Sequence, residues 1–359
     1  MPQIFCSVCD TPAPQPVLIC LQCPETPTYY CDTRCRDRDR IPHQKNCNNP
    51  VRKAIYRAGD LLQSIFYTFR EALYDTSVAH VRRNGDVLRI HLNPNPAQVL
   101  LHRFPNHLNL SQSDKEQLLS VLSCTDSVAY TCDLSKRLLK DATFGIEETL
   151  FCDLRSPFST LRHHSDGTVD DGETMHSTLT VEAKDGEAYV FDLAGAQNNQ
   201  FKAVIPFDEY CRRESRDLWK IRQHGYHFKR FEGVVAGEHK LKEQCDPSVY
   251  FISGEAQKRM MDAVGRWEAQ NGMRIERLLD LDFQSYAECK ASLLRKIRAD
   301  LDGYVAEWEQ NGRPLAAWDG IRAKYASLKE FDAKEGTVVP RGSGTRAYRT
   351  WSAKYKEGD

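Results

Sequence analysis

Cys6-Ser7-Val8-Cys9, Cys20-Leu21-Gln22-Cys23, Tyr30-Cys31-Asp32-Thr33-Arg34-Cys35 and His43-Gln44-Lys45-Asn46-Cys47 follow one another within the first 47 residues of a 359-residue chain. Two tetrahedral zinc ions need eight thiolate or imidazole ligands, and these segments supply eight. A C-x2-C pair sets two thiolates on one tight turn, so that both can face one ion. A spacing of four puts Cys31 with Cys35, and His43 with Cys47, on one face of a helical turn. Metal, rather than an apolar interior, would then nucleate the fold of this region. The other readings are plain buried thiols or a disulfide framework. The latter needs an oxidising compartment, and no leader directs the chain into one.

With Tyr30 just ahead of the fifth ligand, the pattern resembles the MYND zinc finger. The resemblance covers about an eighth of the chain. It implies that the first and third pairs (Cys6, Cys9, Cys31, Cys35) hold one Zn2+ ion. The second and fourth pairs (Cys20, Cys23, His43, Cys47) would then hold another. It also implies a protein–protein interaction module that docks short proline-containing peptides. Where the family usually carries Gln and then Trp after the sixth ligand, this chain has Arg36 and Arg40. No ligand is lost by that change, but two residues that help form the family's peptide groove are replaced. The run Arg36-Asp37-Arg38-Asp39-Arg40 reads as a solvated helix face of alternating sign.

The rest of the chain has an ordinary globular composition, 41% hydrophobic and 28% charged. Its formal net charge of −1 provides no global field to recruit nucleic acid or anionic lipid, so neither is expected as a partner. No stretch is long and apolar enough for a membrane span, which leads to the expectation of an intracellular protein of the cytoplasm or nucleus. Six cysteines outside the finger (Cys124, Cys132, Cys152, Cys211, Cys245, Cys289) are scattered, as suits reduced thiols. Some proteins with this finger carry a methyltransferase body, but the Asn-His-Ser-Cys motif for the methyl donor is missing, and methyl transfer is not expected.

The expected fold class is α+β. A finger occupies residues 1–47, an α+β domain with an antiparallel sheet 51–250, a helical region 254–335 and a basic flexible tail 336–359. From Val51, the positions Ala58, Leu62, Ile65, Phe66, Phe69 and Leu73 predict an amphipathic helix. Alternation over 86–92 predicts a strand, with another over 99–104. Ser111 and Asp114 form a capping box for a helix through Leu122. A further helix, capped by Thr125 or Asp126, is expected to run through Leu139. The Ser-, His-, Asp- and Gly-rich segment 156–173 reads as a loop. Leu294, Ile297, Leu301, Tyr304, Val305 and Trp308 form one apolar stripe, Asn311 to Pro314 a break, and Trp318, Ile321, Tyr325 and Leu328 a second stripe.

Two strands, 178–183 and 188–193, form a hairpin through Lys184-Asp185-Gly186. A three-residue loop with Gly186 left-handed opposes Leu179 to Phe191 and Val181 to Tyr189. A two-residue turn would oppose apolar to polar, so burial of one face selects the first register. His176 then lies diagonal to Asp192 on the other face, the arrangement that orients an imidazole for proton transfer. Cys124, just ahead of a helix, would complete a nucleophile set, since free N–H groups there favour a thiolate. Cys132 would serve only if the helix began later. The order Cys124, His176, Asp192 is similar to the transglutaminase-like or papain-like cysteine fold. A degenerate descendant of such a fold would keep the architecture without the chemistry. His163-His164 beside Asp166 is a further candidate metal or acid–base cluster. The first functional reading is a two-zinc interaction protein. The alternative is acyl transfer or amide hydrolysis at Cys124.

Overall fold

The structure is a computed structural model and describes residues 6–9, 11–12, 18–19, 28–47, 49–94, 102, 104–153, 160–170, 175–213, 216–241, 247–310, 325, 328 and 337–338. It is an α+β protein. In the finger, strand β1 (Leu18–Ile19) pairs antiparallel with β2 (Tyr29–Tyr30), and helix α1 (Thr33–Cys47) follows. Tyr30 is buried, and its hydroxyl donates to Asp39 Oδ2 at 2.8 Å, tying β2 to α1. Arg36, Asp37, Arg38 and Arg40 are exposed, the solvated face that the charge alternation predicts.

Helix α2 (Pro50–Ala72) begins where Asn49 Oδ1 accepts from the Arg52 N–H at 3.1 Å, with Pro50 in the first turn, where no N–H is needed. Its expected apolar stripe, Ala58, Leu62, Ile65, Phe66 and Phe69, is buried. At Gly59 a β-carbon would lie 2.0 Å from Val204 Cγ2, so only glycine lets this helix approach the sheet so closely. Strands β3 (Val78–Asn84) and β4 (Val87–Leu92) form a hairpin. Leu88 and Ile90 of β4 are buried against Tyr74, Phe104, Leu118 and Leu119. Most of the strand expected over 99–104 lies outside the described residues; Phe104 is buried without belonging to a strand.

Helix α3 (Gln112–Ser120) carries the expected cap, Ser111 Oγ accepting from the Asp114 N–H at 3.1 Å. The helix expected to run unbroken through Leu139 is instead two, α4 (Cys124–Tyr130) and α5 (Cys132–Leu139). They part at Thr131, whose hydroxyl donates to Ser127 O at 2.6 Å and so competes with the next backbone bond. Neither Thr125 nor Asp126 is the cap: Ser123 holds that position and Cys124 is the first helical residue.

Strand β5 (Thr143–Asp153) follows, then β6 (Thr160–His163) and β7 (Val169–Asp170). The last two lie in the segment read as a loop, which is corrected accordingly: β6 runs parallel to β4, and β7 closes a four-stranded sheet. On its open face His80, His91 and His163 stand side by side, with ring centroids 4.2 and 4.7 Å apart. Burial, then His80, His163, Arg82 and Arg89, hold His91 below its ordinary value. An unfolded histidine takes up a proton near about pH 6.5, the folded one only at lower pH. The contribution to stability is therefore whole above about pH 6.5 and is lost as the pH falls towards the lowered folded value. A His91→Gln variant should lose less stability than the native chain on acidification from about pH 7.5 to about pH 5, read by denaturant midpoint.

Strands β8 (Met175–Ala183) and β9 (Ala188–Phe191) form the expected hairpin, with Leu179 opposite Phe191 and Val181 opposite Tyr189. Gly186 sits at φ +88°. Strand β10 (Val204–Pro206), helix α6 (Phe207–Arg213), strand β11 (Arg216–Gln223) and helix α7 (Tyr226–Ala236) come next, then the long helices α8 (Pro247–Asn271) and α9 (Phe283–Gln310). Strand β12 (Thr337–Val338) begins the stretch expected as a flexible tail. The large sheet, in the order β10-β9-β8-β5-β11-β12, is antiparallel throughout.

One face of that sheet, through Leu179, Val181, Tyr189 and Phe191, shares a core with Ile55 and Leu62 of α2, Trp267 of α8 and Ile297 and Leu301 of α9. The other face buries Phe151, Val190 and Ile205 under Phe207 and Tyr210 of α6. The break at Asn311 and most of the second C-terminal stripe, Trp318 and Ile321 included, lie outside the described residues, as do positions 339–359. No described helix is long and apolar enough to cross a membrane.

Candidate functional site

Two clusters hold chemistry. In the finger, Cys6, Cys9, Cys31 and Cys35 bring their sulfurs within 4.8 Å of one another. Cys9 and Cys31 are 3.5 Å apart, Cys31 and Cys35 3.5 Å, Cys35 and Cys9 3.8 Å. Tetrahedral zinc with bonds of about 2.3 Å spaces its sulfurs by about 3.8 Å, so this group could hold one metal ion. Burial pushes the Cys6 thiol up, yet backbone N–H groups of Cys31, Val8 and Cys9 bring it down to about 6. These are the donors that a metal-bound thiolate accepts from. The first and third pairs thus share one site. Of the second set, Cys20 and Cys23 lie outside the described residues; His43 and Cys47 lie one turn apart on α1.

The second cluster lies where α4 meets the large sheet. Cys124, the first residue of α4, is partly exposed and lies beside His176. His176, near the start of β8, is buried, and its Nε2 lies 2.7 Å from Asp192 Oδ1. Strand β9 ends at Phe191, so Asp192 leaves the ladder and is held by its neighbours. Its backbone N–H donates to Ala203 O at 2.9 Å. Tyr210 donates its hydroxyl to Asp192 Oδ2 at 2.9 Å. A β-carbon at Gly195 would come within 2.6 Å of that same oxygen, so glycine there leaves room for the carboxylate. The structure therefore brings Cys124, His176 and Asp192 together, with His176 hydrogen-bonded to Asp192 and close enough to Cys124 to act on its thiol.

Electrostatics separates Cys124 from the other thiol at a helix start. Burial pushes the Cys124 thiol up, but the His176 hydrogen bond and charge, with a backbone contact from Ser177, leave it below its ordinary value. Cys132 does begin a helix, α5, and lies 3.9 Å from His224 Nδ1. Even so, burial and then Glu148 and Asp133 push its thiol up to about 12. Burial also pushes His224 down to about 4. That pair stays neutral, so a helix start alone does not make a thiolate.

The structure also adds two residues. Tyr210 fixes the acid, and Gln197 contacts the imidazole: its Nε2 is 3.2 Å from His176 Nδ1. Nothing in Ala196-Gln197-Asn198-Asn199-Gln200 distinguishes one polar residue from the next, which is why the sequence does not mark it. His163 and His164 turn to different partners, His163 joining the ring column and His164 bonding Asp170 at 2.9 Å, so the cluster with Asp166 does not assemble. No protein family, curated protein or solved structure matches the chain. Any function must therefore be argued from these side chains.

Proposed function

We propose that the body of this protein is a cysteine-dependent acyl-transfer or amide-hydrolysing enzyme. Its nucleophile is Cys124, its general base and acid His176, and the residue orienting the imidazole Asp192. The observation that carries this reading is the His176–Asp192 pair, 2.7 Å apart and set beside Cys124 at the start of α4, with the thiol held below its ordinary value by the imidazole. In the reaction, Cys124 passes its proton to His176 and Sγ bonds the acyl carbon. His176 then returns that proton to the departing amine. Water or an amine, deprotonated by His176, releases the acyl group from sulfur. A positioned acid–base of this type contributes about 10²- to 10⁴-fold.

The Cys6, Cys9, Cys31, Cys35 group favours a second role alongside this one. The finger is read as a MYND-type module that binds two zinc ions and docks a protein or peptide partner. With Arg36 and Arg40 in place of the usual Gln and Trp, that partner would be acidic rather than proline-rich. Each ion's coordination is filled by protein ligands, so chemistry at zinc is not part of the proposal.

An activated acyl ester tests the enzyme reading without knowledge of the natural substrate. With p-nitrophenyl acetate, the native chain should release a rapid burst of about one equivalent of nitrophenolate. Cys124→Ser should abolish the burst and Cys132→Ser should leave it. Equal release by native chain and Cys124→Ser would overturn the assignment.

A further inference from the structure

Gln197 is held on three sides. Its Oε1 accepts from the Leu122 N–H at 3.0 Å, and its backbone carbonyl accepts from Thr160 Oγ1 at 3.0 Å. Because the amide oxygen faces an N–H, the amide nitrogen is the atom 3.2 Å from His176 Nδ1. The other ring nitrogen faces a carboxylate, which accepts only, so Nε2 carries the proton and Nδ1 offers its lone pair. That lone pair must receive the thiol proton. Gln197 therefore donates onto the atom that Cys124 needs as its base. Once Nδ1 is protonated, two N–H groups oppose each other across the same gap, and the charged pair is disfavoured.

Leu122 gives this contact its leverage. It stands at φ +51°, a conformation that a bulky residue rarely adopts, and it is 47% exposed two positions ahead of the nucleophile. Such strain persists only where neighbours enforce it. Gln197 is one of those neighbours. One side chain thus binds both the turn leading into Cys124 and the imidazole that activates it.

We propose that Gln197 is a positioning residue that opposes proton transfer from Cys124 to His176 and so limits the activation of the thiol, and that a substrate carbonyl releases the restraint by taking over the amide N–H as its acceptor. The inference rests on the enzyme reading above. In the released state, the thiol proton moves to Nδ1, Sγ bonds the carbonyl carbon, and the carbonyl π pair moves to oxygen, which accepts from the Gln197 amide.

The two halves predict opposite effects of one substitution. Iodoacetamide has no carbonyl at its reacting carbon, so its rate reports thiolate alone; ester acylation needs both thiolate and the oxyanion donor. In the full-length chain, Gln197→Met and Gln197→Ala should shift the pH profile of Cys124 alkylation downward by roughly half to one unit. That is about three- to tenfold faster reaction at about pH 5. The same variants should acylate on p-nitrophenyl acetate about tenfold or more slowly. A purely structural role would slow both reactions, and that outcome overturns the proposal, as does an unmoved alkylation profile. Acceleration of both would overturn the carbonyl half. Failure of the enzyme reading is distinguishable, since then the native chain would show no ester burst and its Cys124 profile would not respond to His176→Ala.

Discussion

Cys31→Ala should strip one metal ion from the finger and unfold it while leaving the body intact. A structural zinc contributes about 10 kcal/mol or more of apparent folding free energy at neutral pH, more than the stability of a typical domain. Cys31 lies 3.5 Å from both Cys9 and Cys35, so its loss opens the centre of the ligand group. Among the described residues little else holds the segment. Its sheet is a pair of two-residue strands, and Cys6 and Tyr30 are the buried hydrophobic residues among its described positions. The body has its own core through α2, the sheet, α8 and α9, so its melting transition and the reactivity of Cys124 should not change. Metal analysis with limited proteolysis reads both. A native chain purified without zinc, or a variant with unchanged metal content, would contradict this account of the finger.

Arg57→Ala should have the largest effect in the body, about 3–5 kcal/mol of unfolding free energy. Arg57 is 1% exposed in the middle of α2. Its Nη1 donates to the carbonyls of Leu278 at 3.4 Å and Leu279 at 3.2 Å, and to that of Leu281. Its guanidinium lies 4.7 Å from the Tyr286 ring. A cation there meets the carbonyl end of the short helix Ile275–Asp280, where backbone dipoles are negative. Truncation leaves buried acceptors without a donor, at about 1–3 kcal/mol each, and opens a cavity. Arg57→Met refills most of the volume without restoring the donor, and should recover less than half of the loss. Full recovery in Arg57→Met would show packing, not hydrogen bonding, to be the cause.

The parts of this fold legible in the sequence are those where one physical demand sets the pattern. The spacing of Cys6, Cys9, Cys31 and Cys35 is that of a metal-ligand group, and their sulfurs do meet within 4.8 Å. Burial of one face sets the register of Leu179 against Phe191, and the three-residue loop with Gly186 follows from it. Once that register is fixed, His176 and Asp192 must be neighbours, and they are.

The central strand β5 shows why the rest was hidden. It carries Glu147 and Glu148 side by side, both buried. Glu148 accepts from the N–H groups of Gly225 at 2.7 Å and His227 at 3.0 Å, capping α7 from 77 positions away in the chain. Burial pushes this carboxyl up to about 7, with those N–H groups opposing. An acid serving a distant helix looks, in sequence, like a surface residue. Strand β11, Arg-Asp-Leu-Trp-Lys-Ile-Arg-Gln, misleads for a similar reason: Lys220 is only 5% exposed, and its neighbours in the ladder, not its own pattern, place it in the sheet. Gln197 belongs with these, since its role exists only once Leu122 and His176 meet around it.

The rate of Cys124 alkylation by iodoacetamide as a function of pH, followed by peptide mass spectrometry in the native chain and in His176→Ala, tests the central claim most directly. The account predicts that Cys124 in the native chain reacts below the pH range of an ordinary thiol and ahead of Cys132, and that its profile moves up by about a unit or more in His176→Ala. Cys132 should be unaffected by that substitution. A Cys124 profile that coincides in the two proteins would mean that the imidazole does not activate the thiol.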